Sequence, residues 1–165
     1  MAGPQGFEPA SGDGPPVEPA ARAGELRTAY EGLLQIRRLL GGGEGRPAPW
    51  ELRSAPRSVA LVLEAAGFPP SAVDARGGRC RTGYRVTAGP GGDPAGTGTG
   101  RTGAGTDADA DRVTVTWTGP PGSGAAGEEQ DRLTACAAEL ERHGWECLLY
   151  RGPRGRRFLE VEPPR

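Results

Sequence analysis

Arginines are the side chains of this sequence whose type and spacing most directly suggest chemistry. Arg76, Arg79, Arg81 and Arg85 have only Asp74 as an acid nearby, and Arg151, Arg154, Arg156 and Arg157 form a run with no acid inside it. Guanidinium groups hold phosphate and carboxylate oxygens through a fixed fork of N–H donors. If a sheet sets both clusters on one side, Arg79, Arg81, Arg85, Arg151, Arg154, Arg156 and Arg157 would attract a polyanion, with Tyr84 or Trp117 as stacking surface. A solvated sheet face and hairpin tip, kept from edge pairing by charge, accounts for the same residues without a ligand. Composition favours that plainer account. All 20 basic residues are arginine, asparagine is absent and Ile36 is the single isoleucine. Lysine, asparagine and isoleucine share A/T-rich codons, so the coding sequence is GC-rich, as in many actinobacterial genomes, and the arginines need no ligand to explain them. A net charge of −1 gives no overall field for a polyanionic partner.

Gly119-Pro120-Pro121-Gly122-Ser123-Gly124 lies after an expected strand and before an expected helix, the context of a phosphate-binding glycine loop. The string resembles the glycine loop of AAA-type ATPases. Ala125 and Ala126 follow, where that motif needs a lysine for the phosphates and a hydroxyl for magnesium. Nucleotide hydrolysis is therefore not expected, and Glu128, Glu129 and Asp131 would repel an anion from the helix that follows. Gly98 to Gly103 fits G-x-G-x-x-G inside a glycine-saturated stretch, where a chance match carries no weight. Asp107, Asp109 and Asp111 imitate the start of a calcium loop, but Arg112 stands where it needs glycine and Thr118 where it needs glutamate.

His143 is the only histidine, and Cys80, Cys136 and Cys147 have no metal-ligand spacing. His143 suits the end of a helix, and Cys136 falls on an apolar stripe, where a thiol is inert. No nucleophile, acid–base pair, metal site or cofactor site is expected, so the chain does not read as an enzyme.

The positioning elements follow from hydrophobic periodicity. Gly 29 and Pro 17 are concentrated in a few stretches, leaving roughly 110 residues with ordinary patterning, enough for one modest core. Residues 1–22 carry neither a basic-plus-apolar leader nor an apolar period, and read as an unstructured tail. A helix is expected over Glu25–Leu40, with Leu26, Tyr30, Leu33, Leu34 and Leu40 on one stripe. A turn follows at Trp50–Arg53, then a helix from Pro56 through Val59, Val62, Leu63 and Ala66. Gly67 should close that helix, with Phe68 folding back on Leu63. Gly78–Ala88 reads as one strand with Cys80, Tyr84 and Val86 on a common face, paired with Arg112–Thr118 around an unstructured loop 89–110. Glu128–His143 reads as a helix stopped by Gly144, with Trp145 packing back on Leu140. Glu146–Arg151 and Arg156–Glu162 form the last hairpin.

The expected fold is therefore α+β: a single domain over 23–163, order α-α-β-β-α-β-β, with a small mixed or antiparallel four-stranded sheet and helices on one face. The strands flanking the last helix are candidates for parallel pairing. Leu63–Phe68 and Leu140–Trp145 resemble one another, which two helices sharing one stop signal explain. With no apolar run near ~18 residues, no membrane span is expected, and unpaired cysteines suit the cytoplasm. The expected function is that of a non-catalytic protein-interaction or accessory module whose partner is another protein. Binding of nucleic acid or another polyanion through the arginines is the alternative.

Overall fold

The structure, a computed structural model, describes residues 7–40, 42–89 and 112–165. The glycine-rich loop 89–110, with its G-x-G-x-x-G string and its aspartates, lies outside the described residues apart from Gly89. The fold is α+β, as the periodicity predicts. Helix α1 spans Pro19–Leu39, α2 Pro49–Arg53, α3 Ala55–Ala65 and α4 Ala125–Arg142. Strands are β1 Ala72–Val73, β2 Arg79–Arg81, β3 Gly83–Ala88, β4 Val113–Thr118, β5 Glu146–Arg151 and β6 Arg157–Glu162, with a 3-10 turn at Pro153–Gly155 between the last two. None of these helices is long and apolar enough to cross a membrane.

Helices α1 and α4 start earlier than their apolar stripes. Proline at the start of α1 loses nothing, because the first N–H groups of a helix have no intrahelical acceptor. Alanines at 20, 21, 125 and 126 then extend both helices at little entropic cost. Both α3 and α4 end on the motif the sequence predicts. Gly67 takes φ +93°, with Phe68 N–H donating to the Leu63 carbonyl at 3.1 Å and Gly67 N–H to that of Glu64 at 3.0 Å. Gly144 takes φ +87°, with Trp145 N–H on Leu140 and Gly144 N–H on Glu141 at the same two distances. The likeness of the two segments is this shared stop.

The main sheet has the order β3-β4-β6-β5, and every neighbouring pair is antiparallel. The expected pairing of β3 with β4 is present, from Gly83↔Thr118 to Ala88↔Val113. Parallel pairing of β4 with β5 does not occur. The two strands run in the same direction but β6 lies between them, because the tight 152–156 hairpin folds β6 back onto β5 and its free edge meets β4. Tyr84, Val86, Val113, Val115, Trp117, Leu159 and Val161 alternate onto one face and pack against Val59, Val62 and Leu63 of α3 and Leu133, Cys136 and Leu140 of α4. Fully burying each such side chain contributes about 1.5–3 kcal/mol.

Three expectations need correction. The strand expected over Gly78–Ala88 breaks at Thr82: β2 pairs with β1 in a separate two-stranded sheet, and only Gly83 onwards joins the main one. A side chain at Gly83 would collide with the Pro69 carbonyl, so the chain passes that point only as glycine, and Cys80 is exposed instead of sharing a face with Tyr84. Leu40 is not part of a buried stripe; it caps α1 and is exposed, as is Leu39. Residues 7–18 are not a loose tail but lie against β3. Val86 N–H donates to the Ser11 carbonyl at 2.7 Å, Val73 N–H to that of Gly14 at 3.0 Å, and the Tyr84 hydroxyl to that of Ala10 at 2.8 Å.

Candidate functional site

Two edge strands bound the main sheet, and the protein treats them differently. A strand's outer N–H and C=O groups are a template for another chain unless something covers them. On β3 they are covered. Tyr84 N–H donates to the Pro69 carbonyl at 3.0 Å and the Tyr84 carbonyl accepts from Ser71 N–H at 2.9 Å; Val86 N–H is held by Ser11. Strand β5 has no such cover among the described residues. Gly152 N–H donates to the Arg156 carbonyl at 2.7 Å, which sets the alternation of the ladder. Tyr150, Leu148 and Glu146 then bond to β6, while Cys147, Leu149 and Arg151 turn their N–H and C=O groups outward.

The middle of this open strand, Cys147 to Tyr150, is apolar, between Glu146 and Arg151 at its ends. Leu148 is 55% exposed, Leu149 38% and Tyr150 41%. Leu148 and Tyr150 lie on the sheet face away from the helices, where the Tyr150 ring stacks on Phe158 of β6 with centroids 5.5 Å apart. Leu149 is on the α4 side, at the edge. β5 has no proline or bulge to discourage pairing, and its charged residues, Glu146 and Arg151, stand only at its two ends.

The arginines predicted as a polyanion site are divided between opposite ends of the sheet. Arg85 is on β3 and Arg79 and Arg81 on β2, whereas Arg151 and Arg157 are on β5 and β6; with β4 and β6 intervening, β3 and β5 are about 14 Å apart. The first group is used internally. Asp13 takes Arg85 Nε at 2.9 Å and also Arg79, whose guanidinium additionally holds the Gly12 carbonyl. Arg81 donates to the Val17 carbonyl at 2.7 Å and lies 3.4 Å from Glu18. These arginines fasten the N-terminal segment to the β3 side. Arg156 is also committed, its Nε 2.8 Å from Glu129 and its Nη2 3.2 Å from the Trp117 carbonyl. Arg151, Arg154 and Arg157 make no side-chain ion pair or hydrogen bond with another described residue, and Arg151 is directly opposite Arg157. Like charges so placed repel.

Other candidate groups are locked. His143 Nε2 is 2.7 Å from the Tyr30 hydroxyl, and Nδ1 is 2.8 Å from the Glu139 carbonyl. Both ring nitrogens are thereby occupied, and the imidazole clasps α1 to the end of α4. Burial, and then the Glu139 charge, raise the Tyr30 pKa. Burial likewise pushes the Cys136 and Cys147 thiols up to about 12, so neither is a thiolate at neutral pH. The Gly119–Gly124 loop leads into α4, whose first turn presents Glu128, 3.4 Å from Trp117 Nε1. The described residues hold no group of three or more His, Cys, Asp or Glu side chains able to bind a metal.

A buried pair escaped the sequence reading. Arg37 and Glu51 have fully buried side chains and meet in a bidentate contact of 2.7 and 2.8 Å. Arg37 also donates to the carbonyls of Glu44 and His143, both at 2.8 Å, and Glu51 accepts from Ala48 N–H at 2.6 Å and Ser58 Oγ at 2.5 Å. The signal was its place four residues after Leu33, on the apolar stripe of α1. With both Glu51 oxygens and four of the five Arg37 N–H donors engaged, the cluster ties three helices together and is closed off by its own partners. Comparison with protein-family models, curated proteins and solved structures finds no match.

Proposed function

We propose that this chain is a non-catalytic protein-interaction module that captures its partner by adding a strand to β5. The single observation that carries the reading is the contrast between the edges: β3 is covered by the chain's own backbone, while β5 presents N–H and C=O groups that have no partner among the described residues, flanked by Leu148, Leu149 and Tyr150. Main-chain hydrogen bonds would give the affinity, and the alternating side chains the specificity. The absence of catalysis is supported by His143 being held at both nitrogens and by the raised thiols of Cys136 and Cys147. The unpaired, exposed Cys80 suits a reducing compartment, and we place the protein in the cytoplasm.

A second reading rests on Arg151, Arg154 and Arg157, whose side chains pair with no described residue: a small polyanion site at the hairpin, without the arginines of the β3 side. One pair of titrations separates the two. A phage-displayed library of random dodecapeptides is selected on the folded chain, and an enriched peptide and a poly-dT oligonucleotide are each titrated into 15N-labelled protein. Strand addition predicts peptide-induced shifts at Cys147, Leu149 and Arg151 that persist in moderate salt. Enrichment of nothing, or of peptides that shift other surfaces, contradicts it. Salt-sensitive shifts with the oligonucleotide, lost in Arg154→Ala, would establish the second reading instead.

A further inference from the structure

We infer that the strand added to β5 is β5 of a second copy of this chain, antiparallel and related by a two-fold axis beside Leu149. This rests on the strand-addition reading and names its occupant. A two-fold axis perpendicular to a sheet keeps the faces in common, so each residue can oppose only a residue of its own face. Centring on Leu149 uses all the outward backbone groups. Leu149 faces its own copy, Cys147 faces Arg151 of the second copy and Arg151 faces Cys147 of the second copy, each as a hydrogen-bonded pair.

The side chains agree with that register. On the outer face Leu148 meets Tyr150 of the second copy, which extends the Tyr150–Phe158 stack across the seam on both sides of the axis. The charges agree as well. β5 begins with Glu146 and ends with Arg151, so antiparallel copies bring acidic starts beside basic ends, whereas parallel copies would align like charges. Arg151, which faces only Arg157 within its own chain, would then stand opposite Cys147 of the second copy, where the Glu141 charge is felt. The unassigned stretches of the same chain are poorer occupants: residues 1–6 and 90–111 contain no large apolar side chain other than Met1 to cover Leu148 and Leu149.

Sedimentation equilibrium over a concentration series, together with an oxidative trap, tests this. Weight-average mass should rise twofold with concentration. Leu149→Arg, which sets two arginines on the axis, should weaken association at least tenfold while its far-UV circular dichroism matches the parent. In a Cys80→Ser, Cys147→Ala background, chains carrying Leu148→Cys and chains carrying Tyr150→Cys should form a disulfide when mixed but not separately, because opposed Cα atoms at non-hydrogen-bonded positions lie about 4.5 Å apart. Disulfides within either single population overturn the register. A monomer at every concentration overturns the second copy, while the strand-addition reading stands if a selected peptide still shifts Leu149 and falls if none does.

Discussion

Arg151 lies directly opposite Arg157 on the last rung of the β5–β6 ladder, and no described acid pairs with either guanidinium. Reversing one charge should therefore stabilise the isolated chain. Arg151→Glu is expected to raise stability by about 0.2–1 kcal/mol, the usual size of a cross-strand charge effect, read from the urea midpoint at low micromolar protein. A lowered midpoint would mean that the arginines are held by something stronger than their mutual repulsion.

The Arg37–Glu51 cluster behaves in the opposite sense. Both side chains are fully buried, so removing one partner strands the other charge away from water. Arg37→Met or Glu51→Leu alone should cost roughly 3–5 kcal/mol, and the double replacement much less than the sum. Urea unfolding of the double-mutant cycle measures this, and additive losses would mean that the two do not act as a pair.

Stability should fall in alkali. The Cys136 and Cys147 thiols have folded pKa values of about 12 against an ordinary 9.0. Between those values the unfolded chain has released protons that the folded chain retains, so the free energy of unfolding declines as pH rises from about 9 towards 12. Their contribution is fully present below pH 9. Cys136→Ala should flatten that decline, monitored by urea midpoints across the range, and an unchanged slope would show that the thiol is not desolvated. At neutral pH native iodoacetamide labelling should modify the exposed Cys80 well before the other two.

The N-terminal segment should loosen without the domain unfolding. Tyr84→Phe removes the hydroxyl that donates to the Ala10 carbonyl, a net loss of about 1 kcal/mol. The Val86 amide, bonded to the Ser11 carbonyl, should exchange roughly fivefold faster, while core amides of β4 change little. Equal acceleration of both would mean that the segment is an inseparable part of the core.

Local signals made most of this fold legible. The Gly67-Phe68 and Gly144-Trp145 stops, the Val113-Val115-Trp117 alternation and the final hairpin are each decided within a few residues, by a positive φ or a period of two. What escaped depends on residues distant in sequence. Gly83 is needed because the Pro69 carbonyl occupies the place of a Cβ, and residues 7–18, poor in large apolar side chains, are held by arginines and Asp13 instead. The two groups of arginines lie apart because β4 and β6 separate β3 from β5. The open edge escaped for a related reason. Cys147-Leu148-Leu149-Tyr150, apolar on both faces, has the pattern of a buried central strand, and only the insertion of β6 between β4 and β5 leaves it outermost.

Residue-resolved amide hydrogen exchange of the chain, alone at low micromolar concentration and then with a saturating selected strand peptide, tests the open edge most directly. The account predicts that Glu146, Leu148 and Tyr150 are protected in both states. Cys147, Leu149 and Arg151 should exchange freely alone and slow at least tenfold when the strand is added. If those three amides stay fast with peptide bound, or are already slow in the dilute chain, β5 is not the docking edge.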